Sequence, residues 1–291
     1  MRVLSRMAVP GVLLTTALLY LGAAPGPRFL VAAGSQEGSL QGSEGERVLR
    51  PAADSPHLND LRTLLDTGVV IQDRNGDGVA DFLHVRLLLP RASGEAEVTA
   101  AANVAARLGF ETSATDLGLA ETVDPGATYD EPVILVGALA MEASGAASEL
   151  QELREALAPG QGLLLHLPAG ERFRTGGVGL LGYDATGLLA AAEYLSSRYP
   201  AVWDPEGAGW REVAETVEDF LADRDWSDAD VSLNRIVVER GRPGVARARI
   251  TVDLPATVDL QEVVRAFEGP DTVLPGTTVD TGGGASTGDT V

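Results

Sequence analysis

The sequence predicts an α/β fold: a sandwich in which helices cover both faces of a mixed, largely buried sheet, with a β-hairpin added to it. Two observations carry this prediction. Three runs are short and uniformly apolar, which is typical of strands buried on both faces. They are residues 132–137 (PVILVG), 162–167 (GLLLHL) and 178–182 (VGLLG). Segments with helical spacing separate and follow these runs, and such alternation is typical of a sheet covered by helices.

The predicted helices of this region begin and end at recognisable signals. They span residues 96–108, 147–158 and 186–198. Ser93 or Gly94 can cap the first helix, because both residue types are found at helix N-termini. Its apolar face is predicted to contain Val98, Ala101, Ala102, Ala105 and Leu108.

The segment before the first predicted helix is a hairpin. Residues 69–72 and 82–89 are apolar and lack helical caps, so both are predicted to be strands. Because a hairpin pairs its strands antiparallel, we expect it to make the sheet mixed.

The loop of this hairpin has the oxygen spacing of a calcium loop. Its predicted ligands, at loop positions 1, 3, 5, 7 and 9, are Asp73, Asn75, Asp77, the Val79 carbonyl and Asp81. Gly78 at position 6 permits the sharp turn, and alternate residues of such a loop can point their oxygens at one hard cation. The loop therefore predicts bound Ca²⁺. A tight turn without an ion is the alternative, since Asn75-Gly76 and Asp77-Gly78 are good turn dipeptides.

These nine residues resemble the D-x-N-x-D-G-x-x-D loops of dockerins and thrombospondin type 3 repeats. The loop departs from a complete EF-hand at position 12, where His84 stands in place of a bidentate glutamate. Ligation would be completed by water or by a residue from elsewhere in the chain.

Five segments are predicted along the chain. They are a signal peptide at 1–24, a flexible linker at 25–57, the sandwich at 58–203, a smaller α+β extension at 204–268, and a disordered tail or linker at 269–291. The first has the order of a secretory signal: Arg2 and Arg6, then the apolar run 7–21, then the small residues 22–24. We therefore expect a secreted or periplasmic protein, with an uncleaved membrane anchor as the alternative.

The extension contains helices and strands with clear signals. Residues 212–222 form a short acidic helix, 235–239 and 246–254 form paired strands, and 259–267 form the last helix. The tail is rich in glycine and threonine and has no apolar periodicity, which is typical of disordered or linking segments.

Composition excludes several classes of partner and chemistry. The chain has 22 basic residues, all arginine, against 42 acidic residues, and its formal net charge is -20. Such a surface repels nucleic acid and anionic lipid, so we expect neither as a partner and no membrane contact beyond the signal segment. The chain contains no cysteine, which excludes disulfides and thiol catalysis.

A larger stretch, residues 132–203, resembles the small α/β domain that precedes the catalytic barrel in α-glucuronidases and β-hexosaminidases. The resemblance rests on the ILVG strand, the glycine-rich turn at GYD and the following helix, GLLAAAEYL. That domain is non-catalytic in those families, so the resemblance implies an architecture and polysaccharide surroundings but no catalytic residue. Fewer than 90 residues follow Trp203, too few for a barrel of about 250 residues.

No catalytic constellation is present in the sequence, so an enzyme is not expected. H-E-x-x-H and G-x-S-x-G are absent. Gly177, Gly179 and Gly182 match G-x-G-x-x-G, but they lie within a predicted strand, which favours close backbone packing over a dinucleotide site. Asp184 or Thr186 is then expected to cap the next helix.

Three residue groups have a structural and a functional interpretation. His166 is predicted to be a buried, hydrogen-bonded core residue. The acidic cluster Asp223, Asp225, Asp228 and Asp230 is either a second cation site or a solvated loop. The tryptophans, which either stack on sugar rings or pack against the sandwich, are Trp203, Trp210 and Trp226.

Two functions follow from these observations. The first is an exported, calcium-stabilised, non-catalytic domain of a secreted or cell-envelope protein, with a polysaccharide or an envelope protein as its partner. The alternative is an accessory domain of a carbohydrate-active hydrolase whose catalytic part lies beyond Val291.

Overall fold

The fold is described from a computed structural model, which covers residues 12–17, 57–114, 118–145, 150–202, 208–224, 226, 230–240, 246–254, 259–268 and 277–280. The strands are β1 (Val12–Ala17), β2 (Ile71–Gln72), β3 (Phe82–Leu83), β4 (Arg86–Leu89), β5 (Ala120–Thr122), β6 (Val133–Val136), β7 (Gln161–Leu167), β8 (Gly177–Gly182), β9 (Asp230–Glu239), β10 (Ala246–Asp253) and β11 (Thr277–Asp280). The helices are α1 (Glu95–Phe110), α2 (Ala138–Ala143), α3 (Leu150–Glu155), α4 (Ala185–Ser197), α5 (Trp210–Ala222) and α6 (Leu260–Glu268), with a short 3₁₀ helix at Leu61–Thr63.

Seven consecutive strands of the main sheet form a mixed array in the order β10-β9-β7-β8-β6-β4-β5, and β1 and β11 continue the sheet beyond β10. The half from β8 to β5 is parallel, since β4 pairs parallel with β5 and β6, and β6 pairs parallel with β8. The other half is antiparallel, since β7 pairs with both β8 and β9, and β9 pairs with β10. The predicted α/β fold with a mixed sheet is confirmed.

Side chains of the central strands alternate between two hydrophobic clusters. In β6, Ile134 and Val136 belong to the cluster that contains α1, α4 and α5, whereas Val133 and Leu135 belong to the cluster that contains α2 and α3. Successive side chains of a strand point to opposite faces, so each cluster lies on one face of the sheet. This two-sided burial explains why the strand sequences are uniformly apolar.

The hairpin is confirmed, but its place in the sheet differs from the prediction. β2 and β3 form a separate two-stranded antiparallel sheet, and β4 leaves it to pair with β5 and β6. Residues 82–89 are therefore two strands in two sheets. The main sheet is mixed because of β7, β9 and β10, and the hairpin contributes nothing to its antiparallel pairs.

The predicted elements of the extension all form. α5, β9, β10 and α6 correspond to the expected helix, strand pair and helix. They continue the same sheet and the same core, since β9 pairs with β7 and the buried side chains of Trp210 and Phe267 join the α1 and α4 cluster.

Three features were not predicted. α2 is a helix of only six residues that follows Gly137 directly, and the three residues of β5 are all exposed, so neither has a recognisable apolar pattern. Val98 and Ala102 were expected on the buried face of α1 but are exposed, because that face contains Ala100, Ala101, Val104 and Leu108.

Most of both termini lies outside the described residues. Within the predicted signal segment, Val12–Ala17 forms β1, which pairs with β10 and β11. The predicted linker lies outside the described residues up to residue 56, as does most of the predicted tail, in which Thr277–Asp280 forms β11. Within the described ranges, no helix is both long enough and apolar enough to span a bilayer.

Candidate functional site

The predicted calcium loop connects β2 to β3. Gly76 and Gly78 have φ angles of 75° and 86°. This left-handed conformation is one that glycine adopts without steric penalty, so the two glycines curl the loop tightly. The loop residues from Arg74 to Val79 are exposed, and Asp73 and Asp81 at its two ends are partly buried.

The oxygen side chains of the loop turn back onto its own backbone. Asp73 accepts hydrogen bonds from the Gly76 N–H at 2.7 Å and the Gly78 N–H at 2.8 Å, one on each carboxylate oxygen. Asn75 Oδ1 accepts from the Asp77 N–H at 2.8 Å. These bonds hold the loop in a single conformation.

The second half of the loop has the same pattern. Asp77 Oδ1 accepts from the Val79 N–H at 2.8 Å, and Asp77 Oδ2 accepts from Asn75 Nδ2 at 3.0 Å. Asp81 Oδ1 accepts from the Arg74 N–H at 2.9 Å, which closes the loop across its mouth. All four predicted side-chain ligands therefore face the loop.

Local charge stabilises the ionised loop. The hydrogen bond from the Gly78 N–H holds the pKa of Asp73 below its ordinary value, since an N–H donor favours the charged carboxylate. The guanidinium of Arg74 lies over the ring of Phe82, with its carbon 3.1 Å from the ring centroid. This cation-π contact, together with a hydrogen bond from Arg74 Nε to Gln72 Oε1 at 3.2 Å, holds the Arg74 side chain against the hairpin strands.

The carboxylates do not converge on one point. Among the described residues, no three His, Asp or Glu side chains are grouped so that they could hold a metal ion. In this arrangement the loop carboxylates are held by backbone N–H groups instead. An ion would have to draw the side chains together.

The hairpin is fastened to the rest of the protein through Ala80. The Ala80 carbonyl accepts hydrogen bonds from the Ser113 N–H at 2.8 Å and from the hydroxyl groups of Thr112 and Ser113, just after α1. Anything that stiffens the loop therefore also acts on the C-terminal end of α1.

His84, at position 12 of the loop, is half-buried. Its Nε2 atom is buried and has no hydrogen-bond partner among the described residues. Burial lowers the pKa of His84 below its ordinary value, and the charges of Arg74 and Arg86 add to this effect while Glu131 opposes it. His84 is therefore neutral at pH 7.

The glycines of β8 serve close packing, as expected. A methyl group added at Gly179 would lie 2.8 Å from Met141 Cε, and one added at Gly182 would lie 2.5 Å from the Asp184 carbonyl oxygen. Protein atoms thus occupy the space that a nucleotide would need. Asp184 caps α4, because its Oδ1 accepts from the Gly187 N–H at 2.8 Å.

The other candidates from the sequence have mostly structural roles where they are described. His166 Nε2 lies 2.8 Å from the Leu58 carbonyl oxygen, so His166 is hydrogen-bonded as predicted, although its side chain is only half-buried. Trp210 is fully buried and donates to Tyr194 Oη at 2.5 Å, so it packs in the core and does not face a sugar. Trp226 packs against the same core. Trp203, Asp225 and Asp228 lie outside the described residues.

A second candidate site was not visible in the sequence. A cleft of about 300 Å³ lies among the 3₁₀ helix, the C-terminal ends of α1 and α4, and the N-terminus of α5. Its charged lining residues are Arg62, Arg107, Arg198, Arg211, Asp66 and Glu212. Because these residues are spread over about half the chain, no local motif could have identified them.

Three of these arginines already pair with carboxylates. Arg62 contacts Asp60 and Glu218 at 2.5 and 2.6 Å. Arg107 Nε lies 2.7 Å from Glu111 Oε1, and Arg211 pairs with Asp66. Within the described part of the chain, the fourth arginine, Arg198, has no carboxylate partner.

Comparison with known proteins gives no relative: no protein-family model and no curated protein sequence matches this chain.

Proposed function

We propose that this chain is an exported, calcium-stabilised, non-catalytic α/β domain whose partner is a polysaccharide or another envelope protein. The proposal that the domain binds calcium rests on the arrangement of side chains in the loop of residues 73–81. Its oxygen side chains stand at alternating positions, and all of them face the curled backbone between β2 and β3.

The donor chemistry of the loop fits a hard cation. Ca²⁺ prefers carboxylate, amide and backbone carbonyl oxygens, and Asp73, Asn75, Asp77, Asp81 and the Val79 carbonyl supply these types. Each carboxylate oxygen has about two acceptor sites, so one hydrogen bond per oxygen leaves capacity for an ion. The loop is also exposed, so an ion could enter from solvent.

Calcium would stabilise the fold at a point that already connects several elements. Three carboxylates within nine residues repel one another, and a divalent ion offsets this repulsion. The loop is tied to α1 through the Ala80 carbonyl, and the His84 N–H donates to the Val70 carbonyl at 2.8 Å. An ion that fixed the loop would therefore also restrain the contact of Ala80 with the residues after α1 and the pairing of the two hairpin strands.

Thermal unfolding with and without calcium tests this proposal. At fixed ionic strength, the melting temperature should rise as calcium is added up to several times the Kd, which for extracellular sites is about 0.1 to 1 mM. The absence of glutamate at position 12 favours the weaker end of that range. A melting temperature that does not respond to calcium or to chelator would exclude the site and favour a metal-free turn.

Export is supported by the order of charged, apolar and small residues at the N-terminus. Cleavage after Ala24 would also remove β1, so that β10 would become an edge of the sheet. N-terminal sequencing of the protein recovered from the medium or periplasm tests this part. A chain that still begins at Met1 would favour the anchored form.

The non-catalytic role is supported by the sequence, which has no recognisable catalytic motif. A polysaccharide setting is supported by the resemblance of residues 132–203 to the small domain of α-glucuronidases and β-hexosaminidases. Affinity electrophoresis in gels that contain neutral or acidic polysaccharides tests it: retardation by a polymer supports the setting, and unchanged mobility in all of them favours a protein partner.

A further inference from the structure

We propose that the cleft of residues Arg62, Arg107, Arg198 and Arg211 binds a small oxyanion, a carboxylate or a phosphate group, with Arg198 as its principal contact. The proposal does not depend on calcium, because none of the cleft residues belongs to the loop of residues 73–81.

The charge of the cleft is unusual for this chain. The protein has nearly twice as many acidic as basic residues, yet four of its 22 arginines line one cleft of about 300 Å³. In a protein with a formal net charge of -20, scattered arginines are expected to be surrounded by carboxylates. Carboxylates pair with three of the four arginines, and Glu212 also lines the cleft, so the question is which guanidinium remains available to an anion.

The pairing pattern shows which arginine remains available. Arg62 is held by Asp60 and Glu218 and also donates to the Val231 carbonyl at 2.6 Å. Arg107 donates to the Ser196 carbonyl at 3.3 Å and lies beside Glu111. These contacts fix the side chains in place.

Arg198 differs from them, because no described carboxylate lies within ion-pair distance of it. Arg198 is partly exposed and is one of the residues that line the cleft. A planar guanidinium presents parallel N–H donors that match a carboxylate or a phosphate in a bidentate pair. The three paired arginines show that the region already uses this chemistry internally.

The backbone near Arg198 adds N–H donors. Gly209, Arg211 and Glu212, which also line the cleft, belong to the first turn of α5, a helix of 13 residues. The Gly209 N–H donates to Glu212 Oε2, and the Trp210 N–H donates to the Pro200 carbonyl. The Arg211 and Glu212 N–H groups have no acceptor within the helix, since the first turn of a helix lacks them.

A neighbouring cleft could hold the part of the ligand that is not anionic. This second cleft, of about 380 Å³, shares Arg107 with the first and is also lined by Phe110. Phe110 is 85% exposed, the most exposed large hydrophobic side chain in the described residues. A ligand that carries an oxyanion on a ring, such as a sugar acid, could place the ring against Phe110 and the anion against Arg198.

Calorimetric titration of the full chain in chelator, at constant ionic strength, tests the proposal. The probes are sodium glucuronate, inorganic phosphate and glucose, where glucose is the neutral counterpart of glucuronate. We expect glucuronate or phosphate to bind and glucose not to bind. Binding of glucuronate alone would identify a carboxylate ligand, and binding of phosphate alone would identify a phosphate ligand.

Variants locate the site. Arg198→Gln should weaken anion binding by about tenfold or more, because a bidentate charge-assisted pair is lost. Arg174→Gln is the matched control, since Arg174 is exposed, pairs with Asp130 and lies outside both clefts. Asp66→Asn should tighten binding, because it frees Arg211 from its carboxylate, and this variant keeps the test valid if Arg198→Gln does not fold.

The proposal fails if neither anion binds, if glucose binds as well as glucuronate, or if Arg198→Gln and Arg174→Gln have equal effects. If the melting temperature does not respond to calcium, the calcium proposal fails, but the titration of the cleft with anions is unaffected. The calcium proposal and the anion proposal can therefore fail separately.

Discussion

Arg62 Nε donates to Asp60 Oδ2 at 2.5 Å, and this carboxylate is only 2% exposed. Asp60 also caps the 3₁₀ helix through the Arg62 N–H and accepts from the Leu233 N–H of β9 at 3.2 Å. A single buried carboxylate therefore joins the start of the described sandwich to the antiparallel half of the sheet.

Removing this carboxylate should be destabilising. In Asp60→Ala, Arg62 keeps Glu218 and the Val231 carbonyl as partners, but the buried Leu233 N–H loses its acceptor, and an unsatisfied buried group costs about 1–3 kcal/mol. Urea denaturation measures the change. Asp130→Ala is the control, because the Asp130 and Arg174 side chains are 76% and 65% exposed and such pairs contribute less than about 1 kcal/mol. Equal effects of the two substitutions would show that Asp60 has no special role.

Stability should fall in alkaline solution because of two buried tyrosines. Burial raises the pKa values of Tyr194 and Tyr199 above the ordinary value of about 10. Above about pH 10 the unfolded chain therefore binds fewer protons than the folded chain, and each tyrosine lowers the free energy of unfolding by about 1.4 kcal/mol per pH unit. This contribution to stability is complete below about pH 10 and is lost as the pH rises toward the folded-state pKa values.

Urea denaturation between about pH 9 and pH 11 checks this slope. Tyr194→Phe should make it shallower by the contribution of one tyrosine, whereas Tyr183→Phe should leave it unchanged, since Tyr183 is 44% exposed. Tyr194→Phe should also lower stability near pH 7 by about 1–3 kcal/mol, because Trp210 Nε1 is left without its acceptor. An identical slope in all three proteins would contradict the assignment.

Glycine is required where β7 meets α4. A methyl group at Gly162 would lie 2.8 Å from the Ala191 N atom and would also collide with the Gly187 carbonyl oxygen. Gly162→Ala should therefore destabilise the protein by about 1–3 kcal/mol or more, since overpacking forces the helix away from the sheet. Gly170→Ala provides the comparison, because nothing lies within 4 Å of a methyl group there. Thermal unfolding measures the melting temperatures of both variants. A Gly162→Ala variant as stable as the wild type would contradict the close packing of β7 against α4.

Within the proposed calcium loop of residues 73–81, Asp77 is the position that best tests the ligand assignment. Asp77→Ala should abolish the calcium-dependent part of the melting shift, which for the wild type corresponds to about 2.7 kcal/mol at a hundredfold excess of calcium over Kd. The calcium-free protein should change little, because the loss of two exposed hydrogen bonds is offset by reduced repulsion with Asp73 and Asp81. Calorimetric or fluorimetric melting curves with calcium and with chelator measure both quantities.

Asp124→Ala is the matched control for that variant. Asp124 is exposed and accepts from the Gly126 N–H at 2.9 Å, the same local contact that Asp77 makes with the Val79 N–H. Its loss should leave the calcium response intact. If both variants respond to calcium like the wild type, Asp77 is not a ligand.

The sequence predicts the central strands well because their surroundings are simple. β6, β7 and β8 are buried on both faces, so almost every side chain must be apolar or glycine, and the pattern appears directly in the sequence. β5 could not be found in this way, because all three of its side chains are exposed. The division of residues 82–89 between two sheets could not be predicted either, because an apolar run in the sequence does not indicate which strand it pairs with.

The two candidate sites also differ in how far apart their residues lie in the sequence. The oxygen side chains of the loop lie within nine residues, so their spacing can be recognised directly in the sequence. The cleft arginines come from the 3₁₀ helix, α1, the end of α4 and α5, and only the packing of these helices makes them neighbours. The sequence therefore indicated the local candidate site and gave no sign of the one that depends on tertiary packing.

The position of β7 has a consequence for how the chain can be divided. β7 lies between β8, its neighbour in sequence, and β9, which begins more than 60 residues later. A chain that ended near residue 203, at the predicted limit of the sandwich, would leave the run GLLLHL as an open sheet edge with unpaired N–H and C=O groups. Such an apolar edge invites pairing between molecules. The segment 230–239 thus covers β7 and keeps this apolar strand from pairing with another molecule.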